Sequence, residues 1–174
     1  MLALIVSMNV EAKAVTCIPK YFENLSDATG VPGSVVFALA LQESATLMSD
    51  GSVRPWPYVI NHKGKPYYYR TRRELFSASQ SLVDNGMRSF DIGYFQVNWR
   101  WHNHRVRNLW SLTEPLTNGY VAMQIFIEQY NKHRNWIVAA GRYHNPNNNN
   151  GLAEKYSRGF REWLEKTIKL KKCA

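Results

Sequence analysis

The stretch VVFALALQES, residues 35–44, decides the fold of this chain. Val36, Leu39 and Ala40 follow helical spacing, and Glu43 falls on the same face of that helix. The run is almost wholly apolar before its single carboxylate. It therefore predicts a buried helix that ends with a glutamate among apolar neighbours.

Glu43 is a candidate for an unusual ionisation state. Burial disfavours the charged carboxylate, and the negative end of the helix dipole disfavours it further. We therefore expect the pKa of Glu43 to be raised, so that its carboxyl group can serve as a general acid near neutral pH. The alternative is a helix-end glutamate turned to water, which is the commoner situation for this residue type.

The composition is that of one globular domain. The chain has 174 residues, 45% of them apolar, including six Trp, ten Tyr and seven Phe, enough for a single core and too many for a disordered chain. Lys and Arg number 22 against 13 Asp and Glu, a formal charge of +9. This favours an anionic partner such as nucleic acid, an acidic lipid surface or the bacterial cell wall. No zinc-finger spacing or RNA-recognition signature supports nucleic acid.

The start of the chain has features of a secretory signal. Residues 2–8 form a short apolar run, and Ala12-Lys13-Ala14 has the small-residue spacing of a cleavage site. We expect residues 1–14 to be a signal peptide. Because no basic residue precedes the apolar run, this segment would be the end of a longer signal; the alternative is an accidental likeness. Residues 15–174 then form the single domain, and no other stretch is long enough to span a membrane.

The two cysteines, Cys17 and Cys173, lie near opposite ends of the chain. The ends of one domain are often close in space, so an exported protein would join them in a disulfide. Two unrelated thiols are the alternative.

Periodicity and turn signals predict a mainly α fold (α+β) with a small β-hairpin wing. Asn61-His62-Lys63-Gly64 separates two aromatic and β-branched runs and predicts the hairpin. Thr71 and Glu74 have capping-box spacing, with Gly86 as the helix stop, and Ser34 is a candidate cap for the helix of residues 35–44. Residues 89–101, SFDIGYFQVNWRW, are predicted as strand or loop along a surface. The remaining predicted helices cover residues 18–28, 115–134, 136–143 and 152–168. The helix of residues 115–134 has an apolar stripe of Leu116, Tyr120, Met123, Ile127 and Tyr130.

Three separated segments are then notable: Gln42-Glu43-Ser44, the run GYFQVN at 93–98 and the run AAGRYHNP at 139–146. In this order and with these gaps, they resemble the lysozyme-like lytic transglycosylases of the soluble (SLT) type. That family has a Glu-Ser pair, a Gly-Leu-Met-Gln-Ile-Asn segment, an Ala-Tyr-Asn-Ala-Gly segment and a tyrosine in its last helix. The resemblance covers residues 21–163 and is closest to members that accompany conjugation and type IV secretion systems, whose third segment often contains Arg-Tyr-His.

The resemblance implies a lysozyme-like fold, a periplasmic or exported location and a role for each matching residue. Glu43 matches the single catalytic acid and base, and Tyr143 matches the tyrosine that helps to hold it. His144 replaces a usual asparagine, and Asn145-Pro146 replaces Ala-Gly. The residues implied to bind substrate are Ser44, Tyr94, Phe95, Gln96, Asn98, Tyr143 and Tyr156. Their residue types also suit sugars, because aromatic faces pack on pyranose rings and amides bind N-acetyl groups.

The implied reaction cleaves the bond between N-acetylmuramic acid and N-acetylglucosamine in peptidoglycan and closes a 1,6-anhydro ring. Glu43 acts in turn as acid and base, without a second carboxylate, a cofactor or a metal. The implied partners are glycan strands and components of a secretion or conjugation apparatus, not nucleic acid. His102 and His104 invite a metal hypothesis, but no metal-binding spacing accompanies them.

Three other functions stay open. The first is a lysozyme-like hydrolase, which would need a second carboxylate. Asp91 is the only carboxylate near the second segment, although we interpret it as a turn or capping residue. A wall-binding module without catalysis is the second, and a basic nucleic-acid binder, which rests on charge alone, is the third.

Overall fold

The computed structural model describes residues 16–173. The predicted signal peptide, residues 1–14, lies outside this range. Helices predominate and the strands are short, so the fold is mainly α with a smaller β component, as predicted. The helices are α1 (Lys20–Thr29), α2 (Gly33–Ser44), α3 (Arg72–Asp84), α4 (Trp99–His102), α5 (Leu109–Leu112), α6 (Pro115–His133), α7 (Trp136–His144) and α8 (Leu152–Thr167). The strands are β1 (Cys17–Ile18), β2 (Ala45–Leu47), β3 (Val53–Pro55), β4 (Val59–His62), β5 (Lys65–Tyr68), β6 (Asp91–Ile92), β7 (Val97–Asn98) and β8 (Lys171–Lys172).

Helix α2 forms the centre of the core. Every residue from 35 to 41 is buried, because α1 and α8 pack against this helix from different sides. Its first turn is held by the Pro32 carbonyl, which accepts from the amides of Val35 and Val36 at 2.8 and 3.0 Å. The prediction that Ser34 caps this helix is wrong, since no side chain caps it. The Ser34 carbonyl instead accepts a 2.9 Å hydrogen bond from Thr167 of α8.

The β-hairpin forms where the turn signal predicted it. Strands β4 and β5 pair antiparallel, with His62 opposite Lys65, so Lys63 and Gly64 are the two turn residues. Both have positive φ, 54° and 75°, as the tight two-residue hairpin turn requires. The hairpin continues into a four-stranded antiparallel sheet with the order β5-β4-β6-β7, and β2 and β3 pair separately.

Helix α3 begins and ends as predicted. The Thr71 side chain accepts from the Glu74 amide at 3.2 Å, and the Glu74 carboxylate accepts from the Arg70 amide at 2.8 Å. At the other end Gly86 has φ 75°. The amides of Gly86 and Met87 donate to the carbonyls of Val83 and Leu82, which is a Schellman motif. The chain after α3 is therefore held in a defined direction.

Helix α6 was predicted correctly as a helix, and its apolar stripe was predicted in part. Three stripe residues lie in or against the core: Met123, Ile127 and Tyr130. Leu116 and Tyr120 are instead each 40% exposed. The buried face also includes polar Asn118, which hydrophobic periodicity does not detect because its burial serves hydrogen bonds.

The chain ends are joined as predicted. Cys17 and Cys173 form a disulfide with their Cα atoms 5.0 Å apart. Beside it, β1 and β8 pair in parallel, and the Cys173 amide donates to the Ile18 carbonyl at 3.0 Å. Lys172 adds a 2.8 Å ion pair to Glu23 of α1. No helix within residues 16–173 combines the length and apolar character needed to cross a membrane.

Candidate active site

A cleft of about 630 Å³ lies at the end of α2, bordered by the four-stranded sheet and by helices α4, α6 and α7. Residues from distant parts of the sequence form its walls. They are Glu43, Asn61, Asp91, Gln96, Val97, Asn98, Trp101, His102, Ile125, Tyr143, His144, Asn145, Pro146, Asn147 and Asn149. The cleft thus contains residues from all three segments singled out in the sequence.

Glu43 lies at the floor of this cleft, on the last turn of α2. The pKa of Glu43 is raised to about 8: burial raises it most, a hydrogen bond from Tyr156 opposes the rise, and the nearby charge of Asp91 adds a smaller increase. The predicted direction of the pKa shift is therefore confirmed, and burial is its main cause. At neutral pH the side chain is mostly a neutral acid, yet it reaches the cleft.

Tyr156 is the only side chain with a hydrogen bond to Glu43 among the described residues: its hydroxyl donates to Oε1 at 2.6 Å. Two glycines allow α8 to come close enough for this contact. A Cβ at Gly141 would clash with Ser157 and with the Ala153 backbone, and a Cβ at Gly159 would lie 2.9 Å from the Gln42 amide. Helix α8 therefore packs tightly on α7 and α2, and this packing positions Tyr156.

The segment at 93–98 forms a turn that three other elements hold through its backbone. Ser44 donates to the Tyr94 carbonyl at 2.8 Å, and Tyr143 donates to the Phe95 carbonyl at 2.6 Å. Asn118 of α6 accepts from the Phe95 amide at 3.3 Å and donates to the Ile92 carbonyl at 2.9 Å. Asn118 was not predicted as a site residue. The one signal for Asn118 in the sequence is a polar residue at a helix position that is otherwise buried.

Gln96 adopts a left-handed conformation at the edge of this turn, with φ 46°. For a residue other than glycine this conformation costs roughly 1–2 kcal/mol. A 2.9 Å hydrogen bond from its side-chain amide to the Gly93 carbonyl offsets part of that cost. The resulting turn directs Gln96 into the cleft, as predicted.

Four of the seven residues predicted to bind substrate do not line the cleft: Tyr156, which holds Glu43, and the three described next. Phe95 is fully buried in the core, so the prediction that its ring faces a sugar is wrong. Tyr94 packs instead against Tyr21 and Phe22, with ring centroids 5.0 and 5.5 Å away. Ser44 is buried, and its hydroxyl is used by the backbone. These side chains support the cleft from behind, because the turn reverses which side chains point outward.

The tyrosine contact to Glu43 that the resemblance implied for Tyr143 is made by Tyr156. Tyr143 lines the cleft but donates to the Phe95 backbone, whereas Tyr156 holds Glu43 from below. His144 stacks on the Tyr156 ring with centroids 4.6 Å apart, and it also lines the cleft. His144 therefore packs on the tyrosine ring whose hydroxyl donates to Glu43.

Asp91 lies in strand β6 and faces the same cleft as Glu43. The interpretation of Asp91 as a turn or capping residue is therefore wrong. Burial raises its pKa, and a 2.7 Å hydrogen bond from the Asn98 side chain opposes this rise. The cleft thus contains two carboxyl groups whose charges interact.

Helix α4 contributes residues that the sequence did not single out for this site. Trp101 lines the cleft with 61% of its surface exposed, and the Arg100 guanidinium lies over its ring at 4.9 Å from the centroid. An exposed tryptophan at a cleft is unusual enough to indicate a contact surface. Burial, together with nearby Arg105, lowers the pKa of His102 to about 4, so this cleft residue is neutral.

Buried polar atoms without a partner cluster next to this helix. Within the described residues they are Asn98 Oδ1, Trp99 Nε1, His102 Nδ1 and Arg105 Nε. Such atoms are costly, about 1–3 kcal/mol each, and call for a partner. Asn98 and His102 both line the cleft through other atoms, while Asn98 Oδ1 and His102 Nδ1 are themselves buried. No group of three potential metal ligands occurs within residues 16–173.

Comparisons with protein-family models, with curated proteins and with solved structures find no significant match to this chain. The geometry of the cleft and its chemistry are therefore the basis for the function.

Proposed function

We propose that this chain is a peptidoglycan lytic transglycosylase with a lysozyme-like fold. It cleaves the β-1,4 bond between N-acetylmuramic acid and N-acetylglucosamine and leaves a 1,6-anhydro end. One observation carries this proposal: Glu43 is a partly buried acid with a pKa of about 8, it opens onto a cleft of about 630 Å³, and it accepts a hydrogen bond from a tyrosine hydroxyl. The three sequence segments that resemble the transglycosylase family converge on this cleft.

The reaction needs one group that is first an acid and then a base. Glu43 starts protonated and donates its proton to the glycosidic oxygen as the bond from that oxygen to C1 breaks. The carboxylate that results then accepts the proton of the muramyl 6-hydroxyl as that oxygen bonds to C1. Glu43 ends protonated and no water is consumed. The Tyr156 hydroxyl stabilises the intermediate carboxylate, because a hydrogen bond favours the charged form.

The walls of the cleft suit a glycan. Trp101 offers an exposed aromatic face for a pyranose ring, and Gln96 and Asn98 offer amides for N-acetyl groups. Sugar hydroxyls both donate and accept hydrogen bonds, so they too can pair with polar groups of the cleft wall.

A hydrolase is the second candidate, and one observation favours it. Asp91 faces the cleft with Glu43, and glycosidases of the usual hydrolytic kinds employ two carboxyl groups. The 2.7 Å hydrogen bond that Asp91 Oδ1 accepts from the Asn98 amide stabilises the carboxylate and makes it a weaker base. A wall-binding module does not require a buried protonated glutamate, and the raised pKa of Glu43 argues for chemistry.

The disulfide between Cys17 and Cys173 supports export to an oxidising compartment, which for this substrate is the periplasm or the cell exterior. There the enzyme would open the wall locally for a secretion or conjugation apparatus. The formal charge of +9 is consistent with an anionic wall polymer.

Mass analysis of products from purified peptidoglycan tests the proposal. A transglycosylase yields 1,6-anhydro ends, and a hydrolase yields reducing ends heavier by one water. Glu43→Gln protein is the control for contaminating activity. Reducing ends as the main product would replace the transglycosylase by the hydrolase, and unchanged peptidoglycan would leave only the binding module.

A further inference from the structure

A second groove, of about 710 Å³, lies on the other side of β4 and α4 from the cleft. The two cavities are lined by adjacent residues of the same elements. Asn61 faces the cleft and His62 the groove, while Trp101 faces the cleft and Arg100 the groove. A polymer bound in the cleft would therefore carry its side branches close to this groove.

The groove is strongly cationic. Lys63, Arg88 and Arg100 line it together with His62, Ser89 and Asn103, and no acidic residue is among its lining residues. None of the three cations has an ion pair within residues 16–173. Arg105, which is partly buried, instead makes a bidentate contact with Glu128. The three charges are therefore left free for an anionic ligand.

The groove lies in one of two cationic parts of the chain. Residues 61–110 contain nine Lys and Arg against three Asp and Glu, a net charge of +6, and residues 111–174 contain ten against five, a net charge of +5. Such a concentration of one charge raises the local concentration of anions and speeds their binding. The excess charge lies on the same part of the chain as the sheet and α4, which border the cleft.

The backbone that carries these cations is held in place before any ligand binds. Lys63 occupies the tight hairpin turn. Arg88 follows the Schellman motif that ends α3 at Gly86. Asn103 donates to the carbonyls of Trp99 and Arg100 at 2.9 and 3.2 Å and so caps the short helix that holds Arg100. A preorganised site loses less entropy on binding than a mobile loop does.

We propose that this groove binds the carboxylates of peptide stems attached to the glycan strand in the cleft. The inference rests on the proposed function, since the strand must lie in the cleft for its stems to reach the groove. Peptide stems are the part of this polymer that extends sideways from the sugar chain and bears several carboxylates. The groove would make the protein prefer glycan with stems over bare glycan.

The test measures the dissociation constant for two soluble glycan preparations, one with intact stems and one from which an amidase has removed them. Glu43→Gln protein is used so that the polymer stays intact. The test variant adds Lys63→Gln and Arg88→Gln, which remove two groove charges and leave Arg100 over Trp101. The matched control adds Arg161→Gln and Lys169→Gln, which remove the same charge from exposed positions at the far end of the chain.

We expect the starting protein and the control to prefer stem-bearing glycan. The groove variant should lose about 2- to 30-fold in affinity for that glycan, the range for two exposed ion pairs, and keep its affinity for bare glycan. Equal losses for both glycans, or no loss, would overturn the groove while leaving the proposed function in place. If the groove variant bound both glycans as the starting protein does but lost binding to phosphatidylglycerol vesicles, the groove would be assigned to lipid phosphate and the proposal would be overturned. Absence of binding of the starting protein to either glycan would overturn the proposed function together with this inference.

Discussion

The Tyr156 hydroxyl donates a 2.6 Å hydrogen bond to Glu43 Oε1 across 113 positions of sequence. This contact links the last helix to the end of the central one. It opposes the rise in the pKa of Glu43 that burial causes. Tyr156 therefore sets how readily Glu43 gives up its proton and how well its carboxylate is stabilised afterwards.

Tyr156→Phe should shift the alkaline limb of the pH–activity profile to higher pH. The substitution removes the hydrogen bond that favours the charged form, so the pKa of Glu43 rises above about 8. We also expect kcat to fall roughly 10-fold, because a hydrogen bond to a charged group contributes about 1.5–3 kcal/mol. The measurement is wall cleavage from pH 5 to 10.

Tyr143→Phe is the matched control for this change. Its hydroxyl donates to the Phe95 carbonyl and not to Glu43, so its loss should lower stability without moving the alkaline limb. Equal shifts in both variants would mean that Tyr156 acts on the fold and not on Glu43.

Glu43→Gln should abolish wall cleavage and at the same time stabilise the protein at neutral pH. The pKa of Glu43 is about 8 in the folded protein against an ordinary 4.5, so the folded state keeps a proton that the unfolded chain releases. Wild-type stability therefore falls as pH rises from 4.5 towards 8. Glutamine has no such dependence, and we expect the variant to be more stable by about 1–3 kcal/mol at pH 7.

Urea unfolding at pH 4 and pH 7 checks this expectation. At pH 4 Glu43 is protonated in both states, so the wild type and the variant should differ little there. A gap in stability that is equally large at pH 4 would show that packing, not ionisation, accounts for it. Wild-type cleavage by the variant would end the single-acid mechanism.

Much of this fold follows from local sequence. The turn at Lys63 and Gly64 and the cap at Thr71 each depend on residues close together in the chain. The raised pKa of Glu43 was predictable from its place at the end of an apolar run, although α1 and α8 supply the packing that buries that run.

The rest of the site depends on packing between distant elements. Tyr156 meets Glu43 only because glycines at 141 and 159 let α8 come close. The positive φ of Gly93 and Gln96 reverses the direction of side chains in the second segment, so Phe95 enters the core. Trp101 then lines the cleft from the following helix. The reversal of side-chain direction at residues 93–96 cannot be predicted from residue spacing or residue type.

Replacing Cys17 and Cys173 together by serine should lower stability and spare the cleft. The bond closes a loop of 156 residues, and loss of a native disulfide typically costs about 2–5 kcal/mol. For a domain of this size we expect the melting temperature to fall by roughly 5 to 15 °C. Calorimetry with and without a reducing agent makes the measurement, and the serine variant should match the reduced wild type. Free thiols in native protein recovered from the periplasm would contradict the bridge.

Trp101→Ala should weaken substrate binding more than it slows the chemical step. Its exposed ring lines the cleft but has no contact with Glu43 in the structure. We expect KM to rise roughly 3- to 10-fold, the equivalent of about 0.7–1.4 kcal/mol for a stacked ring, with kcat little changed. Tyr68→Ala removes an aromatic ring that is 52% exposed on β5, away from the lining of the cleft, and should leave both constants unchanged. A fall in kcat alone would place Trp101 in the chemistry instead.

Asp91→Asn distinguishes the two proposed reactions. A transglycosylase needs no second carboxylate, so this variant should keep substantial activity and still produce 1,6-anhydro ends. Asparagine Oδ1 can also continue to accept the hydrogen bond from Asn98 that Asp91 Oδ1 accepts at 2.7 Å.

The Asp91 charge raises the pKa of Glu43, so its removal should lower that pKa and move the alkaline limb of activity to lower pH. This is the opposite of the shift expected for Tyr156→Phe, and the pair of variants tests both neighbours of the acid. A transglycosylase with this cleft should therefore show a shifted pH profile and unchanged products. A loss of activity as deep as that of Glu43→Gln, with folding intact by circular dichroism, would instead assign Asp91 a direct part in the reaction and favour the hydrolase.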